Sequence, residues 1–224
     1  MKAEAKGSVY FFGKKNIRGK GLCLSKGMCL YSDGTKRTSL FAWEDFPLKG
    51  NHNLENMLAA SLTALLLGVK AESIRKTLRS FKALPHRIEP LGQCRGVSFI
   101  NDSKSTTVDS TVAALRSVAG PVVLLAGGRD KGAPFDSIER VLEKKTRCAV
   151  FYGEARRTIA GSFKRYHRYR LEEDFRKAVR LAFRSAKPGD SVLLSPMCTS
   201  FDQFGSYGER GNVFREVVKT LGVS

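Results

Sequence analysis

The sequence predicts an α/β protein: a Rossmann-like, doubly wound, mainly parallel sheet forms its C-terminal part, preceded by a smaller block of strands and two helices. Two observations carry this. From Val97 onward, short β-rich apolar runs alternate with amphipathic runs of helical period, the pattern of strand–helix units wound on both faces of a parallel sheet. Before that, residues 7–48 are short aromatic and β-branched segments broken by Gly, Asn and Asp, with no helices between them. The change of style falls at Pro85, so the expected domains are 1–85 and 86–224.

The N-terminal strands are "SVYFFG", "GLCLSKGMCLYS" and "TSLFAWEDF". They read as the tail of a sheet, too few to close a core alone. "NLENMLAASLTALLLGV" is rich in Ala and Leu, with Gly68 where a helix should stop. "AESIRKTLRSF" is a second, amphipathic helix. After Pro85, "HRIEPLGQCRGVSFI" predicts two short strands around a Gly-containing turn. The repeating units follow: "VSFI" then "TVDSTVAALRSVA", "PVVLLAG" then "DSIERVLEKK", "CAVFYG" then "RRTIAGSFK", "HRYRL" then "DFRKAVRLAFRSA", and "DSVLLS" then "NVFREVVKTLG".

Strands of such a sheet point one way, so all strand-to-helix loops leave from one edge, where ligands bind in this fold class. Three of those loops are unusually polar: "NDSKSTT", "GGRDKG" and "SPMCTSFDQFGSYGERG". They predict one site built from Asp102, Lys104, Thr106, Lys131, Ser200 and Tyr207. Lys104 and Lys131 suit a carboxylate or phosphate ligand, and the glycines of "GGRDKG" offer backbone N–H groups to an anion. The plainer alternatives are a helix N-cap in "NDSKSTT" and a solvated lysine on a turn. Asn53 and Asn56 lie three apart near a helix start and share a face, either to read a base or to satisfy helix-end groups, with capping by Asn51 or Asn53 the plainer alternative. His86 and Arg87 sit at the domain junction, where the arginine either clamps a phosphate or forms a salt bridge.

Composition narrows the field. No run approaches the roughly 18–20 apolar residues of a membrane span, and "MKAEAKGSVYFFGKKN" lacks a signal peptide's apolar core; a soluble cytoplasmic protein is expected, with no membrane partner. The five cysteines are scattered without C-x-x-C spacing, which argues for reduced thiols and against a metal site. The formal charge of +18 predicts attraction to polyanions and phosphorylated ligands. The basic stretch "RRTIAGSFKRYHRYR" reads as a phosphate-contacting surface or a solvated helix face. No helix-turn-helix, finger or RNP signature accompanies it, so no specific nucleic acid is expected.

Five segments in series, "NHNLENMLAA", "LPHRIEPLG", "GVSFINDSKSTTVDSTVAAL", "LLAGGRDKG" and "LLSPMCTSFDQFGSYGERGNVFREVV", resemble the C-terminal half of the D-glutamate-adding members of the Mur ligase family. The likeness runs from about residue 50 to 220. It implies an ATP- and Mg²⁺-dependent ligase that joins D-glutamate to UDP-N-acetylmuramoyl-L-alanine through an acyl phosphate. It places Asn53 and Asn56 near the adenine, Arg87 with His86 at the ATP phosphates, and Asp102 at the ribose. Lys104, Thr106, Lys131, Ser200 and Tyr207 would surround D-glutamate. Tyr207 departs from the family pattern, in which Phe is common there. A larger departure is the missing G-x-x-x-x-G-K-[ST] loop. The family's phosphate loop, catalytic His and modified Lys would all lie upstream of Met1. The resemblance therefore implies a piece of a longer enzyme or a split-gene product whose partner is a separate chain carrying the N-terminal half. Residues 1–85 would be the remnant of the central ATP-binding domain. Two further readings stay open: a basic Rossmann-like module binding nucleic acid or another polyanion, and a sister Mur or folylpolyglutamate-type ligase.

Overall fold

The computed structural model describes residues 6–48, 50–82 and 84–223, and the chain divides into two compact units, Met1–Ala83 and Leu84–Ser224. In the first unit, β1 (Phe11–Gly13), β2 (Lys20–Ser25), β3 (Met28–Asp33) and β4 (Arg37–Ala42) pair in chain order. The β1–β2 pairing is parallel and the other two are antiparallel. Asp33 closes the β3–β4 turn: its Oδ1 accepts the Thr35 and Lys36 N–H groups, both at 2.8 Å. That pulls its carboxyl down to about 2.

Helices α1 (Asn51–Leu66) and α2 (Ala71–Ser80) cover this sheet. Leu22, Cys29 and Phe41 pack with Leu54, Met57, Leu58, Leu62, Ile74 and Leu78. The strands alone were expected not to close a core, and the two helices supply the missing wall. Arg75 and Arg79 of α2 both pair with Asp45. The capping alternative for the asparagines is corrected: the N-cap of α1 is Gly50, one residue before Asn51.

The second unit holds a six-stranded sheet in the order β5-β6-β10-β7-β8-β9. Its strands are β5 (Glu89–Cys94), β6 (Val97–Asn101), β7 (Val122–Gly127), β8 (Thr146–Tyr152), β9 (Tyr169–Glu172) and β10 (Ser191–Met197). Only the edge strand β5 runs antiparallel, turning back on β6; the other pairings are parallel.

Strand alternation sorts the core into two layers. Leu124, Ala126, Ala149, Phe151 and Leu193 face α3 (Val108–Ser117), α4 (Glu139–Lys145) and α5 (Arg156–Gly161). Val123, Leu125, Val150, Val192 and Leu194 face α6 (Phe175–Ser185) and α7 (Tyr207–Thr220). The predicted doubly wound parallel sheet is therefore what forms. Every residue of β7 and β10 is buried, as two-sided coverage requires.

Candidate functional site

Sheet order decides which loops meet. The strands β6, β10 and β7 lie side by side, so the loops after them, 102–107, 198–206 and 128–134, leave from neighbouring positions on one edge. Backbone bonds tie them together. The Met197 N–H donates to the Ser105 carbonyl at 3.0 Å. Arg129 and Thr199 exchange both backbone bonds, at 3.0 and 3.1 Å. The three polar loops of the sequence thus form one assembled surface.

In the first loop, one residue caps and the others do separate work. Thr107 is the N-cap of α3, in a reciprocal capping box with Ser110. Asn101 is fully buried, and its amide donates to His86 Nδ1 at 2.9 Å and to the Gly211 carbonyl at 3.2 Å. His86 Nδ1 is therefore an acceptor. Burial, and then the nearby Arg215 guanidinium, pull the His86 pKa down, so the ring is held neutral. The His86 backbone N–H donates to Glu89 Oε2 at 3.0 Å, and Glu89 in turn pairs with Arg215 at 2.5 Å. His86 and Ile88 both adopt left-handed backbone, with φ of 63° and 46°. That conformation is uncommon outside glycine, and this network holds it.

Asp102 faces inward. It is 3% exposed, and its carboxylate accepts the Ile88 N–H at 3.2 Å and the Ser195 hydroxyl at 2.9 Å. Burial raises its pKa to about 6, against the opposing pull of these bonds and of Arg87. Its direct reach is to the His86–Ile88 segment, with Arg87 exposed on that turn. Lys104 is exposed, with its ammonium 4.2 Å from the centre of the Tyr207 ring, a cation–π contact. His86 meets the same ring edge-on, with centroids 6.3 Å apart. Thr106 is half-buried beside them.

The second loop corrects one expectation. The glycine amides of "GGRDKG" are engaged inside the protein: Gly128 N–H donates to the Tyr152 carbonyl at 3.3 Å and Gly132 N–H to Asp130 Oδ1 at 2.9 Å. Gly128 is there for close approach. Its φ is 126°, and a Cβ would stand 2.0 Å from the Thr199 carbonyl oxygen. Arg129 pairs with Glu154 at 3.0 Å. Lys131, exposed at the tip, has no ion-pair partner among the described residues. In the third loop, Ser200 is 2% exposed and its carbonyl receives the Gln203 and Phe204 N–H groups. Burial pushes the adjacent Cys198 thiol up to about 12, which removes it as a nucleophile.

The structure therefore gathers His86, Arg87, Asp102, Lys104, Thr106, Lys131, Ser200 and Tyr207 on one edge of one unit. Asn53 and Asn56 belong to the other unit, three residues apart on α1. The sequence reading missed Arg210. This residue is fully buried; it donates to Ser103 Oγ at 2.9 Å, to the Ser103 carbonyl at 2.8 Å and to the Cys198 carbonyl at 3.2 Å. Ser103 passes the link on to the Tyr207 carbonyl at 2.8 Å. A signal existed, since Arg210 occupies the same helical stripe as the buried Phe214, Val217 and Val218. Among the described residues no three His, Cys, Asp or Glu side chains group as a metal site.

A family model described as "Mur ligase, glutamate ligase domain" matches residues 86–198. The UDP-N-acetylmuramoylalanine–D-glutamate ligase of Pelotomaculum thermopropionicum is 39% identical over 223 residues, covering 99% of this chain and 49% of that protein. Its namesake from Caldanaerobacter subterraneus subsp. tengcongensis is 39% identical over 226 residues, with the same shares. A solved pseudomurein peptide ligase type C from Methanothermus fervidus shares the fold at a TM-score of 0.64 and 15% identity, over 92% of this chain and 42% of that one. The chain spans about half the length of the curated relatives it matches. It belongs to the Mur ligase family, with residues 86–198 as the glutamate ligase domain.

Proposed function

We propose that this chain is the amino-acid-binding side of an ATP-dependent ligase that adds D-glutamate to UDP-N-acetylmuramoyl-L-alanine in peptidoglycan synthesis in the cytoplasm. One observation carries the reading: the side-by-side order of β6, β10 and β7, which supports a single site made from Lys104, Thr106, Lys131, Ser200 and Tyr207. D-Glutamate has two carboxylates, and two exposed ammonium groups, on the loops that flank the one after β10, complement both. The reaction activates the alanyl carboxylate as an acyl phosphate, which the D-glutamate amine attacks with loss of phosphate. The part of this chain is to hold the dicarboxylate so that its amine points at the acyl carbon, a positioning role.

Arg87, on the turn fixed by His86 and Asp102, is assigned to the ATP phosphates, with Asp102 acting on the ribose side through that turn. Asn53 and Asn56 are assigned to the adenine, and residues 1–85 to the central ATP-binding domain. Mg²⁺ would neutralise charge on the transferring phosphoryl group; no described residue is assigned to it. The remaining machinery is assigned to an N-terminal half, on the same or a separate chain.

The test is phosphate release from ATP with UDP-N-acetylmuramoyl-L-alanine and D-glutamate. The 224-residue chain alone should give none. Joined to the N-terminal half of a relative, it should turn over D-glutamate and reject L-glutamate. Turnover by the chain alone, or equal use of both enantiomers, contradicts the reading.

A further inference from the structure

The edge of the second unit opposite the candidate site carries almost all of that unit's net charge. Five junctions lead into the N-terminal ends of the parallel strands: residues 95–96, 116–121, 143–147, 164–168 and 184–190, counted with the helix and strand ends that flank them. Together they hold 10 Arg and Lys against two carboxylates, Glu143 and Asp190. The rest of residues 84–224 holds 14 against 13. A net of +8 on this edge and +1 elsewhere is an asymmetry that the overall composition hides.

The turns form one continuous face. Gly189 N–H donates to the Gly96 carbonyl at 2.8 Å, Ser191 N–H to the Pro121 carbonyl at 3.0 Å, and Ala149 N–H to the Arg168 carbonyl at 2.9 Å. Between them, Lys144, Lys145, Arg147 and Arg168 line an open cleft of about 560 Å³. Arg147 is neutralised by Asp190. None of the other nine cations forms an ion pair among the described residues. Helix dipoles account for Arg116, Lys144, Lys145 and Arg184, which sit in the last turns of α3, α4 and α6. They do not account for the cations on the turns themselves, such as Arg95, Arg168 and Lys187.

We propose that this basic edge docks the protein on an anionic phospholipid surface, with the substrate loops directed away from it. Shape and composition favour a lipid surface over nucleic acid. The junctions open side by side across five neighbouring strand ends, about 20 Å, and among the described residues no helix projects from them to enter a groove. Of their two rings, Tyr166 is 1% exposed, and the exposed imidazole of His167 stands alone, short of the successive stacking side chains that a single strand needs. A broad face with ten cations against two carboxylates is what a charged bilayer recruits, at about a fivefold gain in partitioning per basic residue near the surface.

The test is co-sedimentation of the purified chain with vesicles of phosphatidylcholine containing about one-third phosphatidylglycerol, at about 0.1 M salt. The parent should bind these and not pure phosphatidylcholine. Lys144→Ala, Lys145→Ala and Lys187→Ala combined should weaken partitioning on the order of 100-fold. Lys177→Ala, Arg180→Ala and Lys219→Ala combined, exposed on α6 and α7, remove the same charge elsewhere and should change it by less than about fivefold. The proposal fails if the parent ignores the anionic vesicles or if both triple variants lose binding equally. It also fails if a nucleic-acid duplex at equal phosphate concentration displaces the chain from the vesicles.

Discussion

Arg210 is a cation taken wholly out of water and held by neutral acceptors, two of them backbone carbonyls. Each acceptor left unpaired costs about 1–3 kcal/mol. Some of that loss is offset because the charge no longer has to be desolvated. Arg210→Met should therefore lower stability by about 2–4 kcal/mol in urea unfolding. Arg210→Lys should recover only part of it, because an ammonium cannot reproduce the planar fork. An unchanged midpoint for the Met variant would mean that Ser103 and Cys198 are held otherwise. Asp102 makes a pH prediction of definite sign. Its folded pKa of about 6 lies above the ordinary carboxylate value, so the folded state binds the extra proton. Its burial penalty is absent below about pH 4, grows between about 4 and 6, and reaches about 3 kcal/mol at neutral pH. Asp102→Asn should remove this dependence, gaining stability relative to the parent as pH rises from 4.5 to 7 in paired denaturation curves. A constant difference between the two proteins across that range would contradict the assignment. At this scale the sequence was informative about which residues are polar and near the site. It was silent on which way they face, because Asp102 turned inward and Lys104 turned outward read alike in a linear string.

At the scale of elements, the legible features were those with a local cause. The strand–helix alternation, the Gly96 turn and the end of α1 before Gly68 each follow from residues close in sequence. The position of β10 between β6 and β7 does not, and it is the fact that brings the three loops together. The same non-local fact explains the misread glycines. Whether an amide in "GGRDKG" faces a ligand or a neighbouring strand depends on what the next strand is. Here the Tyr152 carbonyl lies against Gly128 from one side and the Thr199 carbonyl from the other. Gly128→Ala should therefore part the second loop from the third. A Cβ at 2.0 Å from a backbone oxygen, at a φ of 126°, cannot be relieved by a rotamer change. A loss of at least about 2 kcal/mol is expected in thermal or urea unfolding. An alanine variant as stable as the parent would show that this approach is not held in solution.

At the scale of the molecule, the chain is two units with separate cores. The family likeness was legible because five motifs occur in order, though each alone is weak. The charge asymmetry was not legible, since its ten cations come from five turns far apart in sequence. The first unit has the smaller core, and β1 and β4 are the end strands of its sheet, so its amides should exchange ahead of those in β7, β8 and β10. Equal protection in native-state hydrogen exchange would mean that the first unit is as self-sufficient as the second. The central claim is that adjacent loops of one sheet edge form a dicarboxylate site. Its most direct test is steady-state kinetics of Lys131→Ala, Lys104→Ala and Asp102→Ala in a protein joined to its N-terminal half, varying D-glutamate and ATP separately. Each lysine variant should raise the KM for D-glutamate about 10- to 100-fold, the value of one charge-assisted bond, while Asp102→Ala should act mainly on ATP. Lysine variants that keep the parent's KM and kcat for D-glutamate would contradict it and move the substrate away from these loops.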